Sequence, residues 1–275
     1  PITLRHLLTH TAGFGYDIWN ENLKQYAAKT GIPRISTGKA AALQLPLTFD
    51  PGESWQYGIN IDWVGRAVEA VSGERLNDYF QNHIFKPLSI KETTYTPGPD
   101  QEARRAVAHE RQADGRLKVA PAALPANLDF HFGGGGLAST APDYMVFLQA
   151  LLHGGRFNGA EILRPETVAL MAQNQIGDIQ AGIMKTAMAN LSNDVDFFAG
   201  TPQRWGLAYL INTQPSPAGR SAGSLTWAGL RNSYFWIDPT KRVTGVIMTQ
   251  ILPFADHKAV QLYSQFERAV YDVVA

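Results

Sequence analysis

Apolar residues recur at helical spacing in three stretches of the chain. Ile61, Val64, Val68 and Val71 fall on one face, and Gly73 supplies a left-handed stop just beyond them. A second helix is predicted after Thr140, an N-cap with Asp143 three residues on and Pro142 in the tolerant first turn. It runs through Met145, Leu148 and Leu152 and ends at Gly154-Gly155. A third, with Val260, Tyr263, Phe266, Val270 and Val273 at helical spacing, closes the chain and is expected to pack on a sheet. Strand patterns stand just before it. Trp205, Leu207, Tyr209 and Ile211 alternate with Gly206, Ala208 and Leu210 as one strand. The runs 233–237 and 243–251 flank Asp238-Pro239-Thr240-Lys241-Arg242, whose Asp and Pro at the first two turn positions predict an antiparallel hairpin. Residues 1–200 thus read as mainly helical and loop-rich, and residues 201–275 as antiparallel strands with a terminal helix. This is an α+β arrangement rather than a series of βαβ units.

Composition narrows the possible partners. Among 275 residues, 24 Lys and Arg balance 24 Asp and Glu, so there is no basic field to hold a phosphate backbone, and nucleic acid is not an expected partner. The best apolar run, residues 243–252, contains Thr244, Thr249 and Gln250 and falls short of the roughly 18 apolar residues of a membrane span. The chain therefore reads as soluble, without a membrane partner, and with the cytoplasm slightly favoured over the periplasm or secretion. The absence of cysteine excludes a thiolate nucleophile, a disulfide framework and a Cys-ligated metal. Pro1-Ile2-Thr3-Leu4-Arg5-His6 enters a helix capped by Thr3 with no Met and no charged or apolar leader, and is expected to continue an upstream segment.

Several chemically suggestive patterns fail on spacing. His6 and His10 stand four apart as zinc-binding histidines do, but Leu7 occupies the place of the general-base Glu, so neither a metal nor another cofactor is expected. The run Gly133–Gly136 lacks the Lys-Ser/Thr of a phosphate loop and is expected to let backbone approach a neighbouring strand. Gly-x-Ser-x-Gly is absent, and Ser221-Ala222-Gly223-Ser224 has the wrong spacing for that elbow. Ser36-Thr37-Gly38-Lys39 does match Ser-x-x-Lys, in which an amine one helical turn from a hydroxyl takes its proton. It follows Gly31-Ile32-Pro33 in a segment of little apolar periodicity and is expected to be a capped surface turn.

Four segments in order carry a resemblance that covers nearly the whole chain. They are Ile2-Thr3-Leu4-Arg5-His6-Leu7-Leu8-Thr9-His10-Thr11-Ala12-Gly13, then Pro51-Gly52-Glu53-Ser54-Trp55-Gln56-Tyr57-Gly58, then residues 134–144, and finally Trp227-Ala228-Gly229. Together they resemble the serine β-lactamase and penicillin-binding-protein superfamily, most closely its class C-like branch with the family VIII carboxylesterases. The resemblance implies a β-lactamase/transpeptidase-like fold. Residues 1–200 would form a helix-rich subdomain with active-site loops, and residues 201–275 the sheet strands and last helix of the same catalytic unit. It also implies acyl transfer through an acyl-serine intermediate, acting on a small-molecule ester or amide.

The roles implied by the resemblance fall on a few residues. Tyr57 would accept the serine proton, a task for which close cations must lower a pKa near 10 by about 3, worth roughly 4 kcal/mol. Trp227, Ala228 and Gly229 would form the edge strand facing the nucleophile, with the Leu230 N–H as an oxyanion donor worth about 3 to 4 kcal/mol. The Ser-x-x-Lys motif itself is expected upstream of Pro1, in a segment or chain beyond these residues. Two departures tilt the expected substrate. The asparagine two residues after the tyrosine in class C β-lactamases is Ile59 here, with an amide one place on at Asn60, and the Lys-Thr that meets a substrate carboxylate is Trp227-Ala228. Both changes favour a neutral, hydrophobic ester over a penicillin, while Arg231 is near enough in sequence to supply a charge. The expectation is a carboxylesterase or transesterase. A β-lactamase or D-amino-acid peptidase of the same fold and a non-catalytic binding homologue are the alternatives.

Overall fold

The computed structural model describes residues 1–120 and 128–274. Helices α1 (Leu4–Leu8) and α2 (Glu21–Thr30) precede the long helix α3 (Asn60–Ser72), which is followed by α4 (Leu76–Phe80), α5 (Pro99–Ala103) and strands β1 (His109–Arg111) and β2 (Leu117–Val119). Helix α6 (Ala141–Leu152), strands β3 (Arg156–Phe157) and β4 (Ala160–Glu161), and helix α7 (Pro165–Met171) lead to a second short ribbon, β5 (Ile183–Met184) with β6 (Val195–Asp196). Strands β7 (Gln203–Trp205), β8 (Leu210–Asn212), β9 (Leu225–Gly229), β10 (Ser233–Asp238) and β11 (Val243–Ile247) come next, then β12 (Ile251–Leu252) and the terminal helix α8 (His257–Val274). Strands β7 to β11 form one antiparallel sheet in the order β11-β10-β9-β8-β7, whereas β12 pairs in parallel with β1 in a separate three-stranded sheet. Among the described residues no helix is long and apolar enough to cross a membrane.

The central sheet is covered on both faces. Side chains alternate along β10, so Tyr234 and Trp236 meet Tyr263 and Tyr271 of α8, while Ile237 turns to the other face with Leu148 and Leu151 of α6. The predicted borders of α6 hold: Thr140 Oγ1 accepts from the Asp143 N–H, and Gly154 and Gly155 take positive φ after the helix. The predicted hairpin also forms, with Asp238 opposite Val243.

Three readings of the apolar pattern change. Residues 205–211 make a reversal and not one strand, because the Gly206 N–H donates to the Tyr209 carbonyl at 2.8 Å and Trp205 pairs with Leu210. The turn stays apolar since its amides are satisfied inside the protein, Leu207 by the Met171 carbonyl and Ala208 by the Leu8 carbonyl. In α8 the buried residues are Ala259, Tyr263, Glu267 and Tyr271, whereas Val260, Phe266 and Val273 are exposed. A carboxylate can hold that inner face because Arg220 Nε donates to it at 3.0 Å and Ser216 Oγ at 2.9 Å. In α3 the deeply buried positions are Asn60, Asp62 and Gly65, and Val71 lies in solvent. That helix directs polar groups inward at its start, where they bind the loops described below.

Gly245 stands opposite Trp236, which is fully buried, and a Cβ there would overlap the indole ring. Gly245→Ala is therefore expected to lower the unfolding free energy by about 1–3 kcal/mol in urea titrations at neutral pH. A loss below about 0.5 kcal/mol, the range of an ordinary surface change, would show that the indole is free to move aside.

Candidate active site

Tyr57 sits on the loop that leads into α3, and that loop is laid backbone to backbone on residues 10–15. The Gly52 N–H donates to the Thr11 carbonyl at 2.8 Å, the Gln56 N–H to the His10 carbonyl at 2.9 Å, and the Thr48 N–H to the Gly13 carbonyl at 2.9 Å. Gly58 is required because a Cβ there would overlap Gly15 and stand 2.6 Å from the Phe14 carbonyl oxygen. The Asn60 amide closes the arrangement, donating from Nδ2 to the Phe14 carbonyl at 3.1 Å and to His10 Nδ1 at 3.1 Å. His10 is fully buried, and burial lowers its pKa to about 3. It is neutral, and because Nδ1 accepts, its proton resides on Nε2.

Against this loop lies the far end of β9. Trp227 meets Tyr57 with ring centroids 4.7 Å apart and Trp205 with centroids 4.6 Å apart. His10 at 4.7 Å, Tyr16 at 5.4 Å and Trp19 at 5.6 Å complete the aromatic surround of Tyr57. Burial in this surround pushes the Tyr57 phenol up to about 12; the Trp227 indole N–H works against the rise and the Asp62 charge adds to it. Trp227 Nε1 is itself buried with no acceptor in hydrogen-bond geometry among the described residues. A groove of about 240 Å³ opens beside Tyr57, lined by Trp19, Phe49, Trp55, Ile183, Met184 and Lys185.

The expected edge strand is an overhang. β9 lies in the middle of the sheet, but β8 pairs with it only at Leu225 and Thr226, so residues 227–229 have β10 alone as a partner. Gly229 is exposed, and a Cβ on it would approach only Ser233, at 3.9 Å. The Leu230 N–H follows in a tight turn closed by the Asn232 N–H donating to the Gly229 carbonyl at 2.9 Å, and among the described residues it meets no acceptor.

The other expected site residues lie elsewhere. Ile59 and Asn60 are fully buried beneath the tyrosine loop, Ile59 among Ala12, Phe14, Leu43, Phe130 and Phe132, so they hold the loop and do not line the groove. The Arg231 guanidinium is half-buried, its pKa lowered by burial with the Glu110 charge opposing. Ser36 and Lys39 do not share a helical face: a 3₁₀ turn over Ile35–Thr37 ends at Gly38 in the left-handed region, and Lys39 reaches Asp129 at 3.2 Å. His6 closes a capping box at α1 through Nδ1, and His10 falls beyond the end of that helix. Gly133 does make a close backbone approach, to Ile61 and Asp62 at the start of α3 instead of to a strand. Among the described residues no group of three His, Asp or Glu stands together as a metal site.

Sequence reasoning missed Tyr16 and Asp62. Asp62 accepts from the Gly134 N–H at 3.0 Å and from the Tyr16 hydroxyl at 3.3 Å, so a buried carboxyl stands one ring away from Tyr57. Burial raises its pKa to about 6, against the pull of the Gly134, Tyr16 and Gly133 donors. The signal was present as an acid in the first turn of α3 with a glycine run 71 residues later, but an acid there is what any helix start favours.

A sheet covered by helices on both faces, with a tyrosine loop packed against a strand overhang, defines a β-lactamase/transpeptidase-type α+β protein. The chain belongs to the beta-lactamase family, whose model matches residues 1–269. It is 34% identical over 281 residues to monacolin J acid methylbutanoyltransferase of Aspergillus terreus, covering 98% of this chain and 67% of that protein. It is 29% identical to lovastatin esterase of Penicillium rubens, covering 98% and 70%. Among solved structures, simvastatin synthase from Aspergillus terreus superimposes with a TM-score of 0.81 at 31% identity, covering 98% of this chain and 68% of that one.

Because the folded protein holds the Asp62 proton more tightly than the unfolded chain does, this group favours folding at low pH. Its contribution is lost as pH rises from about 4 through about 6 and amounts to about 3 kcal/mol at 1.36 kcal/mol per pH unit. Urea titrations from pH 4 to 7 are expected to show wild-type stability falling by about that much relative to Asp62→Asn. Parallel profiles would mean that Asp62 keeps its ordinary acidity.

Proposed function

We propose that this chain carries the tyrosine and oxyanion half of a serine acyl-transfer enzyme that acts on small, hydrophobic esters, as a carboxylesterase or transesterase. The observation that supports this reading most is the packing of Tyr57 against Trp227, at the start of the overhang that leads to Leu230, with a groove opening beside the tyrosine. The relatives named above, a methylbutanoyltransferase and an esterase, are enzymes of this chemistry. The chain spans about two thirds of their length. We assign the nucleophile and its lysine to a Ser-x-x-Lys element outside these residues, since the spacing at Ser36 and Lys39 is broken by the left-handed Gly38.

In this reading the serine Oγ attacks the ester carbonyl as its proton passes to the Tyr57 phenolate. The oxyanion that forms accepts from the Leu230 N–H and from the N–H of the serine. Tyr57 returns the proton to the departing alkoxide, leaving an acyl-serine that water or a second alcohol then takes up. A phenol near 12 cannot act as a base at neutral pH. Bringing it to about 7 requires about 7 kcal/mol of preferential stabilisation of the phenolate, for which the lysine of the Ser-x-x-Lys element, within a few ångströms, would be the source. The Trp227-Ala228 pair offers no charge to a substrate carboxylate, and Lys185 at the groove is already paired with Asp194 at 2.8 Å, which favours a neutral acyl group over a penicillin.

The intact protein is expected to show a higher kcat/KM on short-chain p-nitrophenyl esters than on a chromogenic cephalosporin; the reverse order would replace this reading by a β-lactamase. Tyr57→Phe should retain the melting temperature and lose about 10²- to 10⁴-fold in kcat on the ester. Wild-type turnover in that variant would remove Tyr57 from the chemistry.

A further inference from the structure

We infer that Asn232 is the positioning residue of the oxyanion donor, an inference that rests on the reading of the Leu230 N–H given above. Asn232 is fully buried and takes a φ of 63°, a left-handed conformation that asparagine tolerates better than most residues. Every polar group it owns is engaged. Its N–H closes the turn on the Gly229 carbonyl at 2.9 Å, and its carbonyl accepts from Thr249 Oγ1 at 2.9 Å. Nδ2 donates to the carbonyls of Ile251 and Pro253, both at 2.8 Å, and Oδ1 accepts from the Tyr234 hydroxyl at 2.6 Å and the Asp256 N–H at 3.1 Å.

These bonds lead to rigid parts of the fold. Tyr234 belongs to β10 and stacks on Tyr263 of α8 with ring centroids 4.7 Å apart. Asp256 caps α8 by accepting from the Ala259 N–H at 3.0 Å and is held in turn by Arg111 Nη2 at 2.9 Å. The single Thr249 hydroxyl proton is shared between the Asn232 carbonyl and the Arg231 carbonyl, the latter 2.8 Å from Oγ1, and the Ile251 N–H reaches the Arg231 carbonyl at 3.2 Å. The Gly229–Asn232 turn is thus fastened at its last two residues to the start of α8 and to residues 249–253. Its other end, Gly229, is set by the ladder to Ser233. With both ends fixed, the peptide between Gly229 and Leu230 has little freedom, and the direction of its N–H follows from Asn232. A donor of this kind works only when it is already aimed at the place where the charge develops.

The test uses the intact enzyme and a matched pair of substrates, a p-nitrophenyl ester and the corresponding thionoester, whose sulfur accepts a hydrogen bond more weakly. Asn232→Asp keeps the left-handed tolerance and the acceptor but loses both amide donors; Tyr234→Phe leaves Asn232 in place and removes one bond to Oδ1. Wild type is expected to prefer the oxygen ester. Asn232→Asp should lower kcat on that ester about 10- to 100-fold with KM within about threefold, and narrow the ester-to-thionoester ratio by a similar factor. Tyr234→Phe should move both quantities the same way by less, and it decides the matter alone if the first variant does not fold. Variants that melt earlier yet keep the wild-type kcat and ratio would overturn the inference and leave Asn232 a purely structural residue. A wild type that does not distinguish the two substrates would instead overturn the Leu230 assignment, and this inference with it.

Discussion

Two backbones meet at Gly15 and Gly58 with no side chain between them, and the placement of Tyr57 follows from that contact. A loop that touches its support only through side chains can drift as rotamers change. Here the carbonyls of His10, Thr11 and Gly13 accept from the amides of Gln56, Gly52 and Thr48, and the Asn60 amide fastens the far side. The ring at position 57 is consequently delivered against Trp227 by main-chain geometry. The sheet does the same from its side, since β9 is paired along its whole length to β10 and reaches the loop only where β8 has stopped.

What the loop and the sheet enclose is largely aromatic, and near neutrality the charge that stands beside Tyr57 is the Asp62 carboxylate. Burial raises Tyr57 to about 12 and Asp62 to about 6, and lowers His10 to about 3. The two groups that titrate in the acid range act on stability in opposite senses. Between pH 6.5 and 3 the unfolded chain takes up a proton at His10 that the folded one refuses, which weakens the fold as pH falls; over the upper part of that range Asp62 strengthens it. The ring of tryptophans and tyrosines would magnify the effect of any cation placed within it, because apolar surroundings screen a charge less than water does.

Much of this was legible in the chain and some was not, for identifiable reasons. The limits of α6 were readable because Thr140 and Gly154-Gly155 are local signals that need no tertiary context. The Tyr57 and Trp227 segments were readable through resemblance, and their contact could not be, since it depends on where the sheet stops. The inner faces of α3 and α8 were misjudged because periodicity counts apolar residues, whereas Asn60, Asp62 and Glu267 are buried with partners far along the chain. Glu267 becomes acceptable inside only because Arg220, 47 residues earlier, is folded onto it. The 205–211 reversal was hidden for a related reason: a turn is polar when water satisfies its amides, and here Met171 and Leu8 do so.

The groove draws its walls from three separated stretches: Trp19 from the N-terminal part, Phe49 and Trp55 from the tyrosine loop, and Ile183 with Met184 from a two-stranded ribbon that is no part of the central sheet. The ribbon shares no strand pairing with β9, and its side chains carry none of the hydrogen bonds that fix the Gly229–Asn232 turn. On the reading proposed above, the ribbon wall is therefore carried by a piece of backbone separate from Tyr57 and the Gly229–Asn232 turn, while Phe49 and Trp55 share the loop of Tyr57. On that reading, substitutions in the ribbon would reshape one wall while the proposed reacting groups stay aligned, which makes drift toward new acyl groups or new acceptor alcohols a change of few residues and small structural consequence.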